Sequence, residues 1–530
     1  MKCTRMFCAI VITLTSTLFF AACDGQKATP VLELDKTISS EALVGHAQVL
    51  ENISLGNALS RSSNSPGYLQ AMDYIKDRLR GTGLRVWEQR FEYRNFFETQ
   101  NPVLSMVSPE QEVYVWGTDY QTIAYSGIGD VSAEIVFVTP DFPPGVEPNT
   151  STDGCESADF EGVDVAGKIA VIQRGTCDFS TKALNAESRG AVAVLLFNEG
   201  QEGRTDAIVG TLSADLTMGI PVVGIRYELG KTLYDRYAAG SATTLRVAVN
   251  GINAIASTYN LFAETVAGRS DQVVLIGAHL DSVIEGPGIN DNGSGTAALL
   301  EVSRQLGLSG YTPKNKIRFA WWGAEEVGTV GSQHYLDTLS PEELRTIALY
   351  LNVDCIASHN FVRGVEDSDL SDTMDDPSNR YATTPAGSGT IERVLLDYFH
   401  ANNLPTKPTP LTGSTDYQAF ADRGIPFGGL FTELDGKKTE AEALLFGGTA
   451  GEPYDSCYHA ACDTVTNMNT RIFTENARAI AHFAQYFGDR KVTALLDSSR
   501  ANVSKHAVTV ETVKTSRDRY HKDRMYRASR

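Results

Sequence analysis

The fold is decided by the stretch Val273-Val274-Leu275-Ile276-Gly277-Ala278-His279-Leu280-Asp281. It opens with an apolar run of strand length, which leads directly into a histidine and a carboxylate. Outward from this run, the pattern predicts a helix over 293–306, a strand over 316–322, a helix over 331–339 and a strand over 347–353. Strands that alternate with helices are typical of βαβ units. We therefore predict an α/β fold with a mainly parallel central sheet and helices on both faces.

Acidic and histidine residues follow these strands at the point where each strand ends. They are His279 and Asp281 after the first strand, Glu325 and Glu326 after the second, Asp354 after the third, Asp291 in a turn that enters the first helix, and His459 further along. In open α/β sheets, ligands bind beyond the carboxyl ends of the strands. Taken singly, each residue has the ordinary interpretation of a cap or a solvated surface group. Together, imidazoles and carboxylates are ligands suited to zinc, and a carboxylate can bridge two ions that act in hydrolysis.

Length and composition describe a soluble protein of more than one domain. A chain of 530 residues predicts two or three domains, and an apolar content of 42% with a charged content of 21% is ordinary for such proteins. The formal net charge of −19 excludes nucleic acid as a partner, because nothing in such a chain neutralises phosphates.

The N-terminus predicts export from a bacterial cell. Residues 1–22 combine an early basic pair with an apolar run of signal-peptide length, and they end in Phe20-Ala21-Ala22 before Cys23. This ending resembles a lipoprotein processing site, which would make Cys23 the lipidated first residue of a protein anchored to a membrane surface in the periplasm or outside the cell. Phe20 stands where such sites prefer leucine, so plain secretion is the alternative, and a permanent membrane anchor is a third interpretation. Residues 23–40 are predicted to be a tether and residues 496–530 a basic, flexible tail.

The cysteines agree with an oxidising compartment. Cys155 with Cys177, and Cys457 with Cys462, form two close pairs that suit short disulfides. Cys355 is left over in an apolar stretch, and we predict a buried free thiol there.

Residues 125–245 change to short predicted strands and turns. The string from Gly154-Cys155 through Arg174-Gly175 to Gly190-Ala191 resembles the protease-associated domain of several secreted peptidases. We therefore expect a smaller, β-rich α/β insert over 125–245 within a discontinuous catalytic domain of 41–124 and 246–495. The resemblance implies a lid or a substrate-gating surface, and an inert structural insert is the alternative.

The motifs of the larger domain resemble the co-catalytic two-zinc exopeptidases of the bacterial leucyl aminopeptidase and aminopeptidase Y type. The resemblance covers about 45–95 and 250–490, and its five motifs occur in the family's order. It implies two zinc ions held by the following ligands: His279 and Asp354 on one ion, Glu326 and His459 on the other, and Asp291 as the bridge. It also implies a metal-bridging hydroxide, with Glu325 as the general base that moves its proton to the leaving amine. Burial beside Trp321 and Trp322 would lift the pKa of that base toward neutrality.

The resemblance assigns four further groups. Asp281 would accept a hydrogen bond from His279 and fix its tautomer. Tyr458 would help to hold the tetrahedral oxyanion, and the disulfide between Cys457 and Cys462 would close the loop around it. Asp416 lies in Gly413-Ser414-Thr415-Asp416, where many secreted relatives have Gly-Arg-Ser-Asp, so it would border the substrate pocket without the usual arginine.

The predicted function is an exported zinc aminopeptidase that removes the N-terminal residue from peptides with a free N-terminus. A carboxypeptidase or dipeptidase on the same fold would need a cation for the substrate carboxylate, and no arginine stands in the motifs placed near the metals. A non-catalytic binding protein would have lost ligands or the base. The sequence leaves the preferred N-terminal residue and the oligomeric state open.

Overall fold

The computed structural model describes residues 32–495 except 148, 202, 215, 377 and 435. Its helices are α1 (Ser40–Leu55), α2 (Pro66–Leu79), α3 (Phe179–Glu187), α4 (Tyr227–Ala238), α5 (Gly295–Leu308), α6 (Val330–Thr338), α7 (Pro341–Leu344), α8 (Ser388–Ala401), α9 (Tyr417–Ala421), α10 (Glu440–Phe446) and α11 (Thr470–Asp489). The predicted signal peptide, Cys23 and the basic tail lie outside the described residues. Across residues 32–495, none of the described helices is both long enough and apolar enough to cross a bilayer.

The strands form one extended sheet. They are β1 (Arg85–Ser108), β2 (Glu112–Val113), β3 (Tyr120–Thr122), β4 (Gly129–Phe137), β5 (Ile169–Gln173), β6 (Ala193–Phe197), β7 (Val222–Ile225), β8 (Thr244–Glu264), β9 (Arg269–His279), β10 (Asn315–Trp322), β11 (Ile347–Val353), β12 (Gly364–Glu366), β13 (Lys407–Thr409) and β14 (Phe427–Phe431). The order from one edge is β13-β12-β14-β11-β9-β10-β8-β4-β5-β6-β7-β3, with β1 paired to β8. The central strands β14, β11, β9 and β10 run parallel to one another, as predicted.

Helices cover both faces of the central sheet. On β9, Val274 and Ile276 pack against the layer that contains α1, α2, α5, α8 and α11, whereas Leu275 packs against the layer of α6, α7 and α9. On β10, Trp321 and Trp322 divide between the same two layers. A central strand buried on both faces explains its continuous apolar run.

Residues 34–38 of the segment predicted as a tether, 23–40, pack on the catalytic domain. Leu34 and Ile38 are buried in the core of the catalytic domain, and the Leu34 backbone N–H donates to Gln485 Oε1 of α11 at 3.0 Å. Leu32 also packs against this core and Asp35 is buried, so the segment is held in place although most of its residues are polar.

The insert has its own cores, but its boundaries differ from those predicted. Strands β4 to β7 run parallel and are covered by α3 and α4. Leu104 and Met106 of β1 and Leu245 and Val247 of β8 pack in one of these cores, although the sequence placed the two β1 residues and Val247 in the catalytic domain. The cause is that β1 and β8 are single long antiparallel strands that serve both domains.

Candidate active site

Three parallel strands bring the predicted residues to one edge of the sheet. His279 is the last residue of β9, Asp354 directly follows β11, and Glu325 with Glu326 lies just beyond the end of β10. Because β10 and β11 flank β9 on either side and run parallel to it, their carboxyl ends meet around His279. The side chains of His279 and Glu325 are fully buried there.

The first group of ligands gathers around the His279 imidazole. Its Nε2 lies 3.1 Å from Asp291 Oδ1 and 3.2 Å from Asp354 Oδ1. Glu325 Oε2 lies 3.7 Å from the same nitrogen. One ligand atom from each of His279, Asp291 and Asp354 falls within 4.8 Å of the others, which is the spacing of atoms that share an ion.

The second group gathers around His459. Its Nε2 lies 3.1 Å from Asp291 Oδ2 and 3.3 Å from Glu326 Oε2. Asp291 therefore presents one carboxylate oxygen to each imidazole, the arrangement expected of a bridging ligand. All the residues predicted to hold the two ions come together in space.

The chemistry of this cluster fits divalent cations. Both Asp291 oxygens are buried without a hydrogen bond of acceptable geometry, a costly state for a carboxylate unless it binds a cation. Burial lowers the pKa of His279, but the carboxylates of Asp354 and Glu325 outweigh it and hold that pKa well above its usual range. Burial also lowers the pKa of His459, but the neighbouring Glu326 carboxylate outweighs this effect and raises that pKa to about 10. The excess negative charge that causes these shifts is what zinc neutralises in a site of imidazoles and carboxylates.

The Asp281 carboxylate binds the loop that carries Glu325 and Glu326, and not the ring of His279. Its two carboxylate oxygens accept the backbone N–H groups of Glu325 and Glu326, each at 3.2 Å. The His279 Nδ1 lies 3.0 Å from the main-chain oxygen of Asp281 and 3.8 Å from its carboxylate. The hydrogen bond expected with the Asp281 carboxylate is therefore made with the Asp281 carbonyl oxygen, because the carboxylate, turned toward the two peptide groups, lies beyond hydrogen-bond distance of Nδ1.

The turn that carries Asp291 is fixed from a distant part of the chain. The carboxylate of Asp463 accepts the backbone N–H of Asn290 at 2.8 Å and that of Asp291 at 3.1 Å. Burial and the nearby Asp455 raise the pKa of Asp463 well above its usual range. Asp463 stands four residues after His459, so one loop supplies a ligand and also positions the bridge.

His459 is held by a cross-linked loop. Cys457 and Cys462 form the predicted disulfide around it, and Cys155 and Cys177 form the other. The Tyr458 ring stacks on the His459 ring with 3.9 Å between centroids. Cys355 is a buried free thiol, as predicted, and it donates to Asp354 Oδ1 at 3.3 Å.

The 413–416 loop contacts the site through a residue that the sequence did not single out. Thr415 donates its hydroxyl to Asp354 Oδ2 at 2.5 Å. Asp416 is buried beside Ser332, and burial raises its pKa to about 7. Among the described residues, Ser414, Thr415 and Tyr417 line the cavity next to the ligands, whereas Asp416 does not.

Arg61 is the functional residue that sequence reasoning missed. Its guanidinium is fully buried and donates to the carbonyl oxygens of Pro287 and Gly288, with Gly288 at 2.9 Å. Burial lowers its pKa to about 10, although Asp463 and other carboxylates favour the charge. The motifs placed near the metals contain no arginine, and Arg61 reaches the turn of Asp291 from outside them. No pattern in the sequence predicts this role of Arg61, because its partners are main-chain atoms of a loop that is remote in sequence.

A cavity of about 810 Å³ opens beside the ligands. Asp291, Asp354 and Tyr458 line it together with residues of β12 to β14 and the loops that follow. A buried cluster of imidazoles and carboxylates at the strand ends of an α/β sheet, next to a cavity, defines a metallohydrolase.

Comparisons with known proteins agree with this class. The sequence matches Peptidase family M28 over residues 260–484 and the PA domain over residues 131–233. An aminopeptidase of Pseudomonas aeruginosa is 40% identical over 455 residues, which are 86% of this chain and 82% of the relative. The probable lipoprotein aminopeptidase LpqL of Mycobacterium tuberculosis is 34% identical over 480 residues, 89% of this chain and 90% of that protein. The aminopeptidase from Aneurinibacillus sp. strain AM-1 has the same fold, with a TM-score of 0.61 at 24% identity over 86% of this chain and 96% of that one.

The chain belongs to peptidase family M28 and carries an inserted PA domain. The predicted family, fold class and enzyme class, a metallo-aminopeptidase, are thereby confirmed.

Proposed function

We propose that the protein is an exported two-zinc aminopeptidase that removes the N-terminal residue from peptides. One observation carries this proposal: Asp291 directs one carboxylate oxygen toward each of two imidazoles, and each imidazole has a further carboxylate beside it. His279, Asp291 and Asp354 would hold one ion, and Asp291, Glu326 and His459 the other.

When bound by these residues, zinc would lower the pKa of a water molecule and polarise the scissile carbonyl. The chain supplies the proton transfer. The Glu325 carboxylate takes the proton of the attacking water and passes it to the leaving amine. Its position is set by Asp281, which holds the peptide groups of Glu325 and Glu326. Tyr458 lines the cavity and is proposed to donate to the oxyanion that forms on the substrate.

A free amine suits this cavity better than a free carboxylate. Two lysines line it. Lys407 lies 3.2 Å from Glu433 and 2.8 Å from Glu442, so two carboxylates compensate its charge, and Lys437 is exposed to solvent, which screens its charge. Arg61 is bound to main-chain carbonyls. A carboxypeptidase would need one of these cations for the substrate carboxylate.

Export rests on the sequence of the N-terminus. We propose that residues 1–22 are a signal peptide and that Cys23 is lipidated, in line with the relative that is named a lipoprotein aminopeptidase. Replacing Cys23 by alanine should move the protein from the detergent phase to the aqueous phase in Triton X-114 partition. Retention in the detergent phase would contradict lipidation.

The insert is proposed to gate substrate access. The hydroxyl of Tyr125 donates to the main-chain oxygen of Val327 at 3.3 Å, next to Glu325 and Glu326. The insert therefore touches the loop of the base directly. In Tyr125→Phe, a changed KM for long peptides with an unchanged KM for dipeptides would support gating, and equal effects on both would contradict it.

The mature protein tests the core proposal. It should release p-nitroaniline from amino-acid p-nitroanilides, lose this activity to a chelator and regain it with zinc. Elemental analysis should find two zinc ions per chain. Hydrolysis of only C-terminally free substrates, or one zinc at full activity, would overturn it.

A further inference from the structure

The cavity beside the ligands contains a buried carboxyl that the proposed mechanism does not use. Glu366, the last residue of β12, is 4% exposed and lines the cavity. Gly429 of the neighbouring strand β14 lies beside it, and an added Cβ there would lie 2.3 Å from Glu366 Oε2. The glycine thus leaves the space that the carboxyl occupies.

The register of the sheet places Glu366 near the ligands. Asn352 of β11 pairs with Gly429 of β14, and Glu366 pairs with Thr409 on its other side. Asn352 lies two residues before Asp354, so the two side chains share a face of the strand. Thr415 connects them, since it contacts both the Asn352 amide and the Asp354 carboxylate.

One oxygen of this carboxyl is unsatisfied. Asn352 hydrogen-bonds to the Glu366 side chain, yet Glu366 Oε2 is buried and has no hydrogen-bond partner. Thr409 Oγ1, which also belongs to a cavity-lining residue, is in the same state. A buried polar atom without a partner is costly, and two of them on one cavity wall indicate a ligand with polar hydrogens.

We propose that Glu366 receives the side-chain cation of the substrate's N-terminal residue, so that the enzyme prefers N-terminal lysine or arginine. A leucine side chain would leave Glu366 Oε2 unpaired, whereas an ammonium or guanidinium donates to it. Thr409 would accept a second hydrogen from the same cation. The proposal rests on the aminopeptidase function proposed above.

Besides the ligands, the charged groups that line the cavity leave Glu366 as the buried carboxyl open to a cation. Glu433 and Lys407 pair with each other at 3.2 Å, and Asp376 and Lys437 are exposed to solvent, which screens their charges. Burial and the nearby Asp354 raise the pKa of Glu366 well above its usual range, which is the state of a buried carboxyl that lacks a cation.

Matched substrates test the proposal in the zinc-loaded enzyme. Lysine and norleucine p-nitroanilides share a four-carbon side chain and differ by the ammonium group. The wild type should favour lysine, and Glu366→Gln should lower kcat/KM for lysine by about tenfold to hundredfold while norleucine changes by less than about threefold. Asp376→Asn is the control, since it removes an exposed carboxylate from the same cavity and should leave the ratio unchanged.

Binding supplies a second readout that needs no variant. Calorimetry on the wild type should show tighter binding of L-lysine than of L-norleucine. Three results would overturn the role of Glu366. One is equal binding of L-lysine and L-norleucine to the wild type, and another is an equal loss of kcat/KM for the two p-nitroanilides in Glu366→Gln. The third is a change of the lysine-to-norleucine ratio of kcat/KM in Asp376→Asn as large as the change in Glu366→Gln. If norleucine p-nitroanilide is cleaved without a preference for lysine, only this inference fails. If no p-nitroanilide is cleaved with zinc present, the aminopeptidase proposal itself fails.

Discussion

His279 and His459 stand on opposite sides of Asp291, each 3.1 Å from one of its oxygens, but they are held by different means. His279 ends β9, and parallel strands on both sides fix its backbone. His459 lies on a loop outside any helix or strand, with a φ of +54° in the left-handed region, which costs a side-chain-bearing residue about 1 kcal/mol. The Cys457–Cys462 disulfide surrounds it. The two imidazoles have equivalent roles, but the hydrogen bonds of a β-sheet position His279, whereas a disulfide-closed loop positions His459.

The largest effect should come from the proposed general base, which lies beside His279 on the strand-held side. Glu325→Gln keeps the shape of the side chain but removes the proton acceptor, so kcat should fall by about a thousandfold. Zinc content should stay at the wild-type value, as measured by elemental analysis. Glu326→Gln is the matched comparison, since it should lower zinc content. Normal turnover in Glu325→Gln would refute the assigned base.

The next effect should come from the strand-held side. Asp281→Asn replaces one acceptor oxygen by an amide that faces a backbone N–H, so the loop of Glu325 and Glu326 loses one of its two hydrogen bonds. Activity should fall by about tenfold to hundredfold. Steady-state kinetics at saturating zinc measures this, and an unchanged kcat/KM would show that the loop holds its position without Asp281.

The loop-held side should respond to reduction of its cross-link. Closing so short a loop is worth about 2 kcal/mol in the chain-entropy estimate. The double variant Cys457→Ser with Cys462→Ser should therefore bind its second zinc more weakly, by up to about thirtyfold, while the first zinc is unaffected. Competition with a chelator of known affinity resolves the two steps. Equal weakening of both ions would contradict the separate anchoring of the two sides.

The smallest effect should come from the other disulfide. Cys155 and Cys177 lie in the insert, away from the ligands. Their double replacement by serine should change kcat/KM for a p-nitroanilide by less than about twofold, while the melting temperature of the protein falls. A loss of activity as large as that of the Cys457 and Cys462 variant would show that the disulfide effect is not local.

The sequence predicted most where local pattern and sheet geometry agree. The apolar run of β9 and its neighbours defined three strand ends, and parallel strands must bring such ends together, so His279, Glu325 and Asp354 could be placed without coordinates. The assignment of Asp291 and His459 depended on the resemblance to a family, because a turn and a disulfide-closed loop have no periodic sequence pattern.

The rest depended on contacts between distant main-chain atoms. Arg61 binds carbonyl oxygens more than 220 positions away, and no side-chain pattern records such partners. Asp281 was expected on the histidine ring because the choice between a carboxylate and a carbonyl acceptor is made by the fold. The insert shares strands with the catalytic domain, because β1 and β8 each continue through both domains, and a local sequence pattern does not divide one strand between two cores.

The bond between the Leu34 N–H and Gln485 has a practical consequence. The first and last described segments of the catalytic domain are neighbours, so a short linker from the end of α11 to Leu34 would join them. The chain could then be opened at a surface loop of the insert, and such a circular permutant should retain the sheet and both histidines in place.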